Sequence, residues 1–196
     1  MSTYNAIRYN VDYANVGSLK LLSTQTASAS ASISFTTGID STYDEYWFIF
    51  NNCHPATDDV DFTFNGSTDG GSNYNITKTT TAFDSYHDES GVSTLFRYVS
   101  AKDLAQSTSF QPLNTAGIGN DNDQSISGIL KLFNPSSTTY VKHFISKTNY
   151  SQKDDATMNT FVAGYFNTTS AVDAVRFQMS SGNIDDGTIQ IFGVSQ

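Results

Sequence analysis

Cysteine is nearly missing from this 196-residue chain: Cys53 stands alone, which excludes an internal disulfide framework. Cations are scarce as well, with 10 Lys and Arg against 19 Asp and Glu and a formal charge of −9. Affinity for phosphate backbones rests mainly on Lys and Arg, so this balance argues against nucleic acid and against anionic membranes as partners. No apolar run approaches the ~20 residues that cross a bilayer. The stretch MSTYNAIRYN lacks the basic region and apolar core of a secretory signal, so synthesis in a cytosol is expected. Charged residues make up only 15% of the chain, which leaves its polarity to Ser, Thr and Asn. Their short side chains compete for helical backbone bonds and suit strands and turns. A chain of this length buries about two thirds of its unfolded surface as one domain and needs no metal or disulfide to fold.

What is present is period two. In ASASASISF, residues 27–35, Ala27, Ala29, Ala31, Ile33 and Phe35 alternate with four serines, the pattern of a strand with one buried face. YWFIF at 46–50 is apolar throughout, as expected of a central strand buried on both faces or covered outside by another subunit. Further strands are expected at 19–22, 60–64, 95–99, 128–133, 140–145, 161–166, 174–179 and 188–192. About 8 to 10 short strands punctuated by Gly, Asn, Asp and Ser predict an all-β, antiparallel β-sandwich of jelly-roll type. SAKDLAQS at 100–107 is the one helical candidate, and Asn134-Pro135 should open a hairpin between 128–133 and 140–145. Residues 66–73 and 114–125 read as flexible polar loops.

Residues 1–17 stand apart from the sandwich expected over 18–196. Tyr9, Val11 and Tyr13 alternate, with no turn that would fold them back on the next strand. They form either an ordinary first strand or an extended arm that docks on a neighbouring molecule, with Tyr4, Ile7, Tyr9, Val11 and Tyr13 as its contacts.

No residue pattern specifies a reaction. Cys53 and His54 are adjacent, but on an extended segment consecutive side chains point to opposite faces, which parts the thiol from the imidazole. His87 in SYHDES and His143 in VKHFI read as solvated or half-buried side chains, and no G-x-S-x-G elbow or H-E-x-x-H is present. Among so many acids, some pair will meet glycosidase spacing by chance. GNDNDQ and ATDDVD bring side-chain oxygens together on loops, but neither matches an EF-hand, and solvated turns are the plainer reading. No catalytic residue, cofactor or metal ligand is therefore assigned. Tyr74, Tyr86 and Tyr150 could offer rings to a sugar, yet nothing singles them out from core tyrosines.

From Ala171 to Val194 the chain reads AVDAVRFQMSSGNIDDGTIQIFGV. With LLSTQTASASASISF, FNGSTDGGSNYN and GILKLFNPSSTTYVKHFIS, this segment resembles a family of small virion structural proteins of tailed phages, common among marine phages. The likeness runs over residues 18 to 194, and the extension through Gly17 departs from the family pattern. The closing motif has its own physical reading: Gly182 and Gly187 permit backbone angles barred to other residues, and Gly193 suggests a bulge or a close backbone approach. Together they predict a hairpin that seals the sandwich.

The resemblance implies a β-sandwich module carried on the virion, without catalysis. One form is a capsid decoration protein, a homotrimer bound to other virion proteins such as the major capsid protein. The other is a tail-fibre or receptor-binding module whose loops grip a host surface glycan.

Overall fold

The computed structural model describes residues 18–195. Twelve strands follow in chain order: β1 (Leu19–Thr26), β2 (Ile33–Phe35), β3 (Glu45–Pro55), β4 (Phe62–Ser67), β5 (Lys78–Asp88), β6 (Thr94–Tyr98), β7 (Gln111–Pro112), β8 (Ile126–Phe133), β9 (Lys142–Gln152), β10 (Ala156–Phe166), β11 (Ala174–Met179) and β12 (Ile184–Val194). All pairings are antiparallel. The larger sheet has eight strands in the order β1-β12-β3-β8-β9-β10-β5-β6, and the smaller has four in the order β2-β11-β4-β7. The chain is thus an all-β antiparallel sandwich.

Alternation decides what lies between the sheets. On β3, Tyr46, Phe48 and Phe50 are wholly buried, while Trp47 and Ile49 point out and are half-buried. Phe62, Phe64 and Phe177 of the smaller sheet face them, with Phe62 and Phe177 stacked at 5.7 Å and Phe50 edge-on to Phe62 at 5.3 Å. Each such buried ring contributes ~1.5–3 kcal/mol through removal from water.

Under β9, β10 and β5 the interior changes character. Thr148, Thr160 and Asp84 form one inward row across those strands. Their partners come from the segment after β6. Thr115 Oγ1 donates to Asp84 at 2.5 Å, and Thr148 Oγ1 donates to Leu113 O at 2.7 Å. Arg97 Nε reaches Asp84 at 3.2 Å, and Thr80 Oγ1 donates to Gln111 Oε1 at 2.6 Å. Buried polar groups persist here because each finds a partner.

Four expectations are corrected. Residues 27–35 are not one strand: Ala29 has φ 48°, Ala29 and Ala31 are exposed, and the chain leaves the larger sheet after Thr26 to re-enter the smaller at Ile33. An alternation of small residues is compatible with such a crossing, because Ala and Ser lose little wherever they point. No helix forms at 100–107, where the backbone turns and Lys102 N bonds back to Val99 O. Residues 66–73 are closed by their own side chains. Asp69 accepts from Ser67 Oγ at 2.6 Å and from Asn73 N at 2.9 Å, and these bonds hold its carboxyl down to about 2.

The closing segment, finally, is an arch rather than a hairpin. β11 lies in the smaller sheet and β12 in the larger, between β1 and β3, so residues 180–183 carry the chain across the sandwich. Gly187 (φ 116°) sits at a register shift within β12, where a Cβ would lie 2.6 Å from Asn52 O. Gly193 keeps regular pairing, and the expected close approach is the ring of Tyr43 against its backbone. The β8–β9 hairpin forms as expected, with Asn134 at φ 45°.

Candidate docking face

The outward side chains of the larger sheet form continuous rows across its strands. One row reads Leu21, Phe192, Trp47, Lys131, Ile145 and Ala163 from β1 to β10. The next reads Ile49, Ile129, Lys147, Phe161, Phe83 and Tyr98 from β3 to β6. Leu21 and Ile145 are each 49% exposed, Tyr98 57% and Phe96 70%. A hollow opens where β10 presents the small Ala163 between Ile145 and Thr81, with His143 and Tyr165 at its rim.

Both lysines on this face lie over rings. Lys131 Nζ is 3.7 Å from the Trp47 ring centroid and 3.9 Å from Glu45 Oε1, and Lys147 Nζ is 5.5 Å from that of Phe161. Such cations cover aromatic faces without removing them from reach. Phe83 and Phe161 stack at 4.9 Å, and Phe96 leans on Phe83 at 5.7 Å, an aromatic platform beside the β6 edge. An eight-stranded sheet at ~4.8 Å spacing is about 34 Å wide, and with ~25 Å along the strands its face covers about 850 Å². That matches the ~800 Å² each partner contributes to a standard interface. Within it the exposed apolar side chains gather around Trp47 and Ile145 and around Phe83, Phe161 and Phe96, and clustered apolar surface marks interaction sites.

The smaller sheet is closed on its outside. Asn65 is fully buried there, its Nδ2 donating to Tyr74 O at 2.8 Å and Thr108 O at 3.0 Å. Arg176 donates to Ser34 Oγ at 2.9 Å with its guanidinium 4.0 Å from the Tyr74 ring. Residues 68–77 and 104–110 form the cover.

The chemically suggestive residues fall elsewhere. Cys53 is buried, and that burial, with Asp186 second, pushes its thiol up to about 12. His54 holds Nδ1 at 2.6 Å from Gln124 O, so thiol and imidazole serve separate partners. His87 and His143 are exposed. Asp61 bonds Lys102 at 2.5 Å, and among the described residues no three His, Cys, Asp or Glu side chains gather to hold a metal. Tyr74 and Tyr150 are buried, and Tyr150 Oη accepts from the Thr115 and Ala116 amides. Tyr4, Ile7, Tyr9, Val11 and Tyr13 lie outside the described residues. YWFIF flagged the docking face in part, but its other members sit singly on separate strands and needed the strand order to be assembled.

No family model, curated protein or solved structure matches the chain.

Proposed function

We propose that this chain is a structural component of a tailed-phage virion, a decoration protein that docks on the assembled head through the outer face of its larger sheet. The observation that carries this reading is the outward row from Leu21 to Ala163, apolar except for Lys131, on a molecule of charge −9. A strongly acidic surface keeps free copies apart, and an apolar face with two cations at its centre gives one side on which association gains. The resemblance of residues 171–194 to phage virion proteins supports the same assignment. Contacts made only in the assembled state stabilise that state by mass action, so no chemistry is required of the protein.

A glycan-gripping tip is less well supported. Residues 68–73 follow β4 at one end of the sandwich, whereas 114–125 join the end where β9 turns into β10, through the Ile118–Gln152 bridge. One tip does not present both. The test is incorporation: Ile145→Asp should fold normally yet be lost from purified particles, with copy number read by quantitative mass spectrometry. Normal incorporation of that variant would refute docking through this face, and copies confined to the tail would refute the head assignment.

A further inference from the structure

The eight-stranded sheet ends on two different edges, and one of them is unguarded. β6 is the terminal strand, paired only with β5, and all five of its residues are exposed. Open edges invite pairing with another chain, and proteins commonly block them with Lys, Pro or a bulge. TLFRY carries none of these. Its one cation, Arg97, is turned inward to Asp84 at 3.2 Å. On the outward side Phe96 and Tyr98 continue the Phe83–Phe161 platform to the rim. The opposite edge is β1, and seventeen residues precede Ser18 at its start.

We propose that β6 receives residues 1–17 of a second copy of this chain, added as a further strand, so that copies join head to tail. The inference rests on the assembly reading above and names the self-contact within it. Tyr9, Val11 and Tyr13 alternate, which places three bulky side chains on one side of an extended segment at a repeat of ~6.8 Å. Beside Phe96 and Tyr98 they make aromatic and β-branched cross-strand pairs, the kind that stabilise added strands.

Reach separates a neighbour from self. The molecule's own β6 lies seven strand spacings from β1, ~34 Å away along the sheet. At ~3.4 Å per residue Tyr13 extends at most about 17 Å from Ser18 and Tyr9 about 31 Å, short of that edge. A neighbour whose β6 lies against this molecule's β1 side is within range of all three. Charge agrees: residues 1–17 hold one cation, Arg8, and one anion, Asp12, so the whole −9 excess resides in the body. A neutral segment bridges two acidic bodies without adding repulsion. Because the contact joins one edge to the other, it is heterologous and closes into a ring when the rotation between copies allows.

The test uses purified full-length protein. Analytical ultracentrifugation at tens of micromolar should give an oligomer, and both deletion of residues 1–17 and Phe96→Asp should weaken association at least tenfold. Circular dichroism should remain unchanged, since Phe96 is 70% exposed. In a second arm, Val11→Cys protein is mixed with Thr94→Cys, Phe96→Cys or Tyr98→Cys protein and oxidised, the buried Cys53 staying silent. Disulfide-linked pairs in at least one mixture are expected. A monomeric full-length chain, a truncated chain that associates as before, or no cross-link in any mixture overturns the proposal. A monomer still taken up by particles would overturn arm exchange and leave virion docking standing. Arm-joined oligomers that no particle incorporates would do the reverse.

Discussion

The two sheets of this sandwich treat their outer faces in opposite ways. The smaller sheet turns out Asn65, Ser34 and Arg176, and the chain covers them with residues 68–77 and 104–110, giving the Asn65 amide and the Arg176–Ser34 pair their partners. The larger sheet turns out Leu21, Trp47, Ile145 and Phe161, and the described chain leaves them uncovered. Same backbone geometry, different occupants: a polar face is completed from within, whereas a face of ~850 Å² with apolar clusters awaits a surface from outside. Substitutions on the covered face should therefore act on stability, and substitutions on the bare face on assembly.

The largest effect should come from Asn65→Ala. It strands the carbonyls of Tyr74 and Thr108 inside the cover, at about 1–3 kcal/mol for each unsatisfied group. Denaturant unfolding should show a loss of about 3 kcal/mol in all.

Lys78 pins the same cover from the other sheet. It is fully buried and donates to Ser109 O at 2.5 Å, and burial lowers its ammonium from 10.5 to about 7. Above about pH 7 the native protein has released this proton, while the unfolded chain keeps it until near 10.5. The unfolded state therefore binds more protons across that window, and this group makes stability rise with pH there. Unfolding measured at pH 7 and pH 9 should show a smaller gain for Lys78→Met than for the parent protein.

Arg176→Ala removes the Ser34 bond and the stacking on Tyr74, and about 1 kcal/mol of stability should go with them. On the bare face Ile145→Asp should change monomer stability by under ~0.5 kcal/mol, as exposed substitutions usually do. A melting curve close to the parent's would sharpen the contrast, and a large drop would break it.

Legibility in the sequence followed burial. β3, β8 and β11 were readable because their inward positions are apolar, and AVRFQM matches β11 residue for residue. β5 was not, since its inward residues include Lys78, Thr80 and Asp84, and period two in polarity vanishes when both faces are polar. At the arch from β11 to β12, Gly182 and Asn183 announce a turn but carry no information on which sheet the next strand joins. The docking face was half legible: Trp47 and Ile49 stood out within YWFIF, whereas Ile145, Phe161 and Phe192 acquire meaning only when strand order brings them into neighbouring rows. The proposed arm contacts Tyr9, Val11 and Tyr13 were visible from alternation, and their partner edge, β6, only from the topology.

The most direct measurement is hydroxyl-radical footprinting of the free protein against the same protein within purified particles, read at single residues by mass spectrometry. Oxidation of Trp47, Ile145 and Phe161 should fall severalfold on assembly, while residues 68–77 over the smaller sheet stay as reactive as in solution. Unchanged labelling at Trp47 and Ile145, with protection at 68–77 instead, would contradict the account.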